Sequence, residues 1–181
     1  METRRITFLA VLLATSVVLN IVERVTMQAL TQPIAIILGP VIGAGGVRIG
    51  LANIVVMLIL YNFSTKDAFV LLMLRIIIVG QLAIGLFSLP FWTSLMGGLV
   101  GFFLMVIFKH FKGFSIISVS IMGAIGHVFG QIFVAVIFFQ LIEIVVYVPF
   151  MLMLSIPAGI FTGRVTIKLI DIMEPILTKN Q

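Results

Sequence analysis

Polar side chains that could bind a ligand are rare in this sequence and interrupt long apolar runs. His127 and Gln131 lie four residues apart, and Ser120 and Gly123 fall on the same helical stripe. Small residues therefore leave room beside two hydrogen-bonding groups. Arg75 lies about eight residues, or roughly 12 Å of helical rise, inside another apolar run. A guanidinium at that depth needs a partner, so the pattern predicts a pocket for a small polar ligand, with an anion as the favoured class.

Three further residues complete the candidate ligand-binding set. Asn53 faces the same predicted interior, Gln81 belongs to a small and polar stripe on the third predicted helix, and Arg48 precedes the helix of Asn53. The same residue types also form hydrogen bonds between helices, and backbone carbonyls can cap an arginine. Structural roles for His127 and Arg75 therefore stay open beside ligand binding.

No acidic residue is expected at the depth of Arg75. The six acids all map to predicted membrane interfaces or to tails: Glu2, Glu23, Asp67, Glu143, Asp171 and Glu174. A ligand, a partner subunit or backbone carbonyls are then the remaining partners for the guanidinium.

The composition excludes several classes of protein. The 181 residues are 62% hydrophobic and 9% charged, with a mean hydropathy of +1.34, which is incompatible with a soluble globular domain. The Lys and Arg residues are scattered singly, so a nucleic-acid partner is not expected. The absence of cysteine, of a glycine-rich phosphate loop and of clustered acids argues against thiolate metal sites, ATP hydrolysis and magnesium-dependent catalysis. We expect a membrane protein that is not an enzyme and holds no cofactor.

The apolar runs predict one all-α domain over 1–181, a bundle of about six transmembrane helices embedded in membrane lipid. The predicted helices cover about 6–23, 47–61, 67–86, 90–108, 114–139 and 148–170, with an outer loop over 25–46. Glycine and proline interrupt that stretch too often for one straight helix, so we expect a loop with a short re-entrant or half-helical piece.

Basic residues predict the orientation of the bundle. With the N-terminus in the cytoplasm, six crossings put eight of the eleven Lys and Arg residues inside: Arg4, Arg5, Lys66, Lys109, Lys112, Arg164, Lys168 and Lys179. Arg24 and Arg48 lie outside, and Arg75 lies within the membrane. This bias favours cytoplasmic termini.

Small residues recur four apart, a spacing that lets helix backbones approach closely in lipid. The pairs are Ala10 and Ala14, Gly39 and Gly43, Gly46 and Gly50, Gly97 and Gly101, Gly126 and Gly130, and Gly159 and Gly163. Packing within the bundle explains the glycine pairs. For Ala10 and Ala14 a face for a partner protein is an equal alternative.

Two sequence blocks carry a resemblance to a known family. The block GVRIGLANI over 46–54 and the block GAIGHVFGQ over 123–131 resemble the Gx transporter family, often labelled heptaprenyl diphosphate synthase component I. That family is similar to the substrate-binding S components of energy-coupling factor transporters. The likeness covers nearly the whole chain, although the synthase label disagrees with the missing aspartate clusters.

The resemblance implies a transport role. S components have six helices, cytoplasmic termini, an outer loop over the ligand and an Ala-x-x-x-Ala motif that docks a transmembrane coupling subunit, which ATPase subunits drive. Ala10 and Ala14 match that motif, and 25–46 matches the loop. Some relatives are associated with flavin-based extracellular electron transfer, so the alternative is a quinone-interacting or assembly subunit of that pathway.

The charge bias generates a prediction about topology. We expect Lys112→Cys to resist membrane-impermeant thiol reagents in intact cells, because the basic loops stay in the cytoplasm. Glu143→Cys should react, because it lies beyond the opposite end of the fifth predicted helix. The chain contains no other cysteine, so labelling reports these positions alone, and labelling in the opposite sense would contradict the topology.

Overall fold

Apolar segments in a bilayer must satisfy their backbone hydrogen bonds internally, and this restricts them to helices here. The computed structural model describes residues 2–38 and 49–178, and over these ranges the chain forms helices and no strand. The α-helices are α1 Glu2–Leu38, α2 Leu51–Asn62, α3 Thr65–Val79, α4 Leu89–His110, α5 Ile116–Phe139 and α6 Val148–Thr178. A π-helical turn, Gly80–Ile84, extends α3, and a 3₁₀ turn, Ile142–Tyr147, precedes α6. The predicted all-α class is confirmed.

The first helix is longer than the sequence predicts. It continues to Leu38, so the prediction of an end near residue 23, followed by a loop over 25–46, is wrong as far as residue 38. Residues 39–46 lie outside the described ranges. Glu23 and Arg24 end the apolar run but do not end the helix, because charged residues are good helix formers and 25–32 contains neither glycine nor proline.

The second helix is the shortest and the most enclosed. Its 12 residues rise about 18 Å, which is less than a bilayer core of about 30 Å. Eight of these residues are buried. The other five helices are long and apolar enough to cross a membrane. The described chain is therefore a multi-pass membrane protein in which α2 is an inner helix.

The six helices pack as a closed ring. In the described part of the chain α1 packs on α2, α2 on α6, α6 on α5, α5 on α4, α4 on α3, and α3 returns to α1. The second helix also packs on α3. Residues from all six helices line a space inside this ring.

Charged and polar contacts join four helices at one end of the bundle, which we call the basic end. Arg5 at the start of α1 forms an ion pair with Asp67 in the first turn of α3. The Lys109 ammonium at the end of α4 donates to the carbonyl oxygen of Leu60 and lies 5.0 Å from the ring centroid of Tyr61. These contacts fix α1 against α3 and α4 against α2.

Glycines bring the backbones of α4 and α5 into direct contact. A Cβ on Gly130 would lie 2.4 Å from the carbonyl oxygen of Met96. A Cβ on Gly101 would lie 2.7 Å from the carbonyl oxygen of Gly123. No side chain larger than hydrogen fits at these two positions without moving a helix. The glycine pairs at 97 and 101 and at 126 and 130 therefore pack within the bundle.

A second glycine pair seats α6 on α5. A Cβ on Gly159 would lie 2.8 Å from the Cα of Ile121, and one on Gly163 would lie 2.8 Å from the Cα of Ile117. These contacts draw α6 close to α5 along about one helical turn. The three helices α4, α5 and α6 thus form the tightest part of the ring.

The first helix differs from the others in how little of it is covered. It has the smallest buried share among the five spanning helices. Ala10 and Ala14 are exposed, and Val11 and Val18 are each 59% exposed. This face of α1 therefore has no neighbouring helix within the described chain.

The α4 and α5 contact generates a prediction about stability. Gly130→Ala should lower the free energy of unfolding in detergent by about 1–3 kcal/mol, because the added methyl overlaps the backbone of α4. The free energy of unfolding is measured by reversible unfolding in sodium dodecyl sulfate. The control is Phe129→Ala at the next position, where the side chain is 49% exposed on the outer surface and the change should be smaller. Equal stability of Gly130→Ala and the wild type would contradict the direct backbone contact.

Candidate functional site

A central cavity occupies the space inside the ring. All six helices contribute polar lining residues: Glu23 from α1, Asn53 from α2, Arg75 from α3, Ser94 from α4, His127 from α5 and Ser155 from α6. The cavity volume is about 70 Å³. An engineered apolar cavity of about 150 Å³ holds benzene, so this space suits a smaller molecule or the head group of a larger one. The convergence of polar groups from every helix marks the cavity as the candidate ligand site.

Arg75 contributes the cationic group of the cavity. Its side chain is 3% exposed, and one Nη2 hydrogen bond reaches the Asn53 Oδ1 at the long distance of 3.4 Å. Its Nε and Nη1 have no hydrogen-bond partner in the described part of the chain. These two nitrogens carry three of the five guanidinium N–H donors. Most of the N–H donors of Arg75 therefore have no acceptor in the described part of the chain.

Glu23 is the residue that sequence reasoning missed. Its side chain is 5% exposed and lines the cavity, although the sequence suggested a membrane interface. The Gly50 N–H donates to Glu23 Oε1 at 2.6 Å, and the Leu51 N–H donates to Oε2 at 2.9 Å. Gly50 has a φ of 84°, a conformation that glycine adopts without strain. The carboxylate thus caps the N-terminus of α2, where it also meets the positive end of the helix dipole.

The same two hydrogen bonds explain why Glu23 is not a direct partner for Arg75. Glu23 and Arg75 both line the cavity, but no ion pair between the two side chains is present among the described residues. The partners of Glu23 lie 27 and 28 residues further along the chain. No local pattern around Glu23 identifies that distant helix start, so the sequence offered no signal for the cap.

The fifth helix forms one wall of the cavity, as its polar stripe predicts. His127, Gln131 and Ser120 all line the cavity, and the Ser120 hydroxyl lies 2.7 Å from the Thr162 hydroxyl of α6. A Cβ on Gly97 would lie 2.9 Å from both Cε1 and Nδ1 of His127. The absence of a side chain on Gly97 therefore makes the room that the imidazole ring occupies.

The predicted candidate Gln81 does not join this group. Gln81 is exposed in the π-helical turn and is not among the lining residues. It follows Arg75 by six residues, which puts it on a different face of the helix. Arg48 lies outside the described residues. Arg24 is a further basic residue near the cavity, since its Nη2 donates to the lining residue Ser94 at 3.3 Å.

Comparison with known proteins identifies the family. The family model described as heptaprenyl diphosphate synthase component I matches residues 12–169. The chain belongs to this family. No curated protein and no solved structure gives a significant match. The match covers all six helices at least in part, including every cavity-lining residue discussed above.

The family name contains the word synthase, and a synthase that acts on diphosphates needs clustered carboxylates to hold its metal ions. Within residues 2–38 and 49–178, no group of three or more His, Cys, Asp or Glu side chains could hold a metal ion together. The cavity of this heptaprenyl diphosphate synthase component I family member instead combines one guanidinium, one capped carboxylate and several neutral hydrogen-bonding groups. That set suits recognition of a polar molecule.

The Glu23 cap generates a prediction. Glu23→Gln keeps the shape of the side chain but removes its charge and leaves one oxygen for two N–H donors. We expect a loss of about 1.5–3 kcal/mol in the free energy of unfolding, the usual contribution of hydrogen bonds to charged groups. The exposed Glu143 gives the control Glu143→Gln, which should unfold like the wild type. If both variants unfold alike, the cap contributes little.

Proposed function

We propose that this protein is the substrate-binding subunit of a small-molecule uptake transporter, working with a transmembrane coupling subunit and an ATPase module. The observation that carries the proposal is the central cavity, which takes polar residues from all six helices of a membrane protein. Polar groups inside a membrane bundle are expensive and mark ligand or ion pathways. Because all six helices line the cavity, movement of any one of them would change the shape of the cavity.

The orientation in this proposal puts both termini in the cytoplasm of a bacterial cell. The basic end then faces the cytoplasm, where Arg5, Lys109 and their neighbours meet water and lipid head groups. Glu23 follows Arg5 by 18 residues, or about 27 Å along α1. The wall that contains Glu23 and the start of α2 therefore lies in the outer half, the side from which an imported molecule arrives.

The docking face in this proposal is the uncovered side of α1. The glycine pairs of α4, α5 and α6 are used for packing inside the bundle, whereas Ala10 and Ala14 are exposed on the least buried spanning helix. Small residues four apart let a partner helix approach closely in lipid. A coupling subunit bound there would hold the helix that also carries Glu23.

The cavity lining favours transport over the alternative role in electron transfer. A quinone offers two neutral carbonyl oxygens, so its binding would leave the Arg75 charge uncompensated inside the bundle. Mass spectrometry of small molecules released from the purified protein separates the two roles. A water-soluble molecule supports the transport proposal, and a stoichiometric quinone would replace it by the electron-transfer role.

The docking face generates a prediction. Ala10→Leu combined with Ala14→Leu should leave the protein folded and inserted but abolish co-purification of the coupling subunit, because added bulk separates the two backbones. The control is Ala29→Leu, which adds the same bulk at an exposed position near the other end of α1. Pull-down of the tagged variants from membranes measures the association. Unchanged pull-down with the double variant would contradict docking at this face.

A further inference from the structure

No acid that the structure describes forms an ion pair with Arg75. Glu23 is held by two backbone N–H groups at the start of α2. Asp67 is paired with Arg5 at the basic end, and Glu143 and Asp171 are exposed. Because Nε and Nη1 of Arg75 have no partner in the described chain, the cavity offers a charged and directional donor set to whatever enters it.

The charges around the cavity add up to a single positive charge in the described residues. Arg75 and Glu23 line the cavity with opposite charges, and Arg24 adds a second positive charge through its contact with the lining residue Ser94. In a weakly polar interior an uncompensated charge is strongly unfavourable. A ligand with one net negative charge makes this region neutral, whereas a neutral ligand leaves it at +1.

The geometry and charge of the anionic group and the size of the cavity restrict the class of ligand further. A carboxylate is planar, carries one negative charge and accepts two parallel hydrogen bonds from a guanidinium. A phosphate monoester carries about −1.5 to −2 at neutral pH and would reverse the excess charge. The cavity volume of about 70 Å³ also limits the enclosed part of the ligand to a few heavy atoms.

We infer that the substrate is a small organic monoanion whose carboxylate is bound by Arg75, with Asn53 holding the guanidinium in position. The inference rests on the proposed function, because it names the substrate class of the same cavity. The neutral side chains on α5, His127 and Gln131, then face the rest of the molecule and supply its hydrogen bonds. Arg24 and Glu23 set the net charge without contacting the carboxylate.

The test compares two probes that differ in charge but not in shape. Propionate and propionamide are added to the protein in nanodiscs of uncharged phosphatidylcholine, at matched ionic strength, and thermal unfolding is followed. Propionate should raise the melting temperature in a saturable way, and propionamide should not. This comparison uses the wild type alone, so it decides the charge preference even when a variant fails to fold. Equal effects of the two probes would overturn the inference.

Variants assign the effect to Arg75. Arg75→Gln should weaken propionate binding by about ten- to one-hundredfold, since it removes a hydrogen-bonded charge. Arg75→Lys should retain part of the affinity, because the charge remains but the two parallel hydrogen bonds do not. Arg164→Gln, at an exposed arginine on α6, is the matched control and should bind like the wild type. Full propionate affinity in Arg75→Gln would overturn the assignment.

Two further probes test whether the cavity prefers a phosphate or a lipid head group to a carboxylate. Inorganic phosphate should stabilise the protein less than propionate does, and a stronger effect of phosphate would show a preference for dianions and contradict the monoanion. Nanodiscs that contain phosphatidylglycerol test a lipid head group. If that lipid removes the propionate effect in the wild type, the arginine binds lipid and the substrate assignment fails.

The monoanion inference and the transport proposal can fail independently of each other. A neutral molecule released from the purified protein, together with intact pull-down of the coupling subunit, leaves transport standing and ends the monoanion inference. Propionate binding that depends on Arg75, together with failed pull-down by the wild type, supports the binding site and ends the transport role.

Discussion

A buried guanidinium is the constraint around which this membrane bundle is organised. Arg75 is 3% exposed in a protein whose outer surface is largely apolar, and a charge in that position costs several kcal/mol unless it is solvated. The polar residues of all six helices accordingly converge on the space beside it. The one buried acid in that space is fixed on the start of α2. Among the described residues, the Asn53 amide oxygen is the group that accepts a hydrogen bond from the guanidinium.

The tightly packed half of the ring and the loosely covered half contribute different groups to the cavity. Glycine contacts between the backbones of α4, α5 and α6 leave little freedom for relative movement. Those helices contribute hydrogen-bonding side chains to the cavity, including His127 in the space beside Gly97. The charged groups come from the other half, where Glu23 of α1 meets α2 and Arg75 of α3 contacts Asn53. The tightly packed helices α4, α5 and α6 thus face the charged residues of α1 and α3 across the cavity. Of these helices, α1 is the least buried spanning helix.

The sequence predicted the helices and the α5 wall well, because hydrophobic runs and spacing along one helix are local properties. Arg75 and the stripe with His127 and Gln131 were found for that reason. The continuation of α1 to Leu38 was missed because the prediction of a loop rested on glycine and proline, and the first of these after residue 24 is Pro33, which the helix includes. Glu23 was missed because its partners lie on another helix, and contacts between helices depend on their relative rotation and tilt. Gln81 was included because polarity alone does not show which way a residue points within a π-helical turn.

The shortness of α2 has a consequence for how the chain enters the membrane during synthesis. A helix of about 18 Å cannot be released into lipid as an independent crossing, and its first N–H groups would lack acceptors there. Glu23 supplies those acceptors from α1, which is synthesised first. The short turn at 63–64 joins α2 to α3, so Asn53 and Arg75 arrive in one hairpin. We therefore expect membrane integration of this chain to be ordered, with α1 in place before the hairpin and the arginine entering the bilayer together with its amide partner.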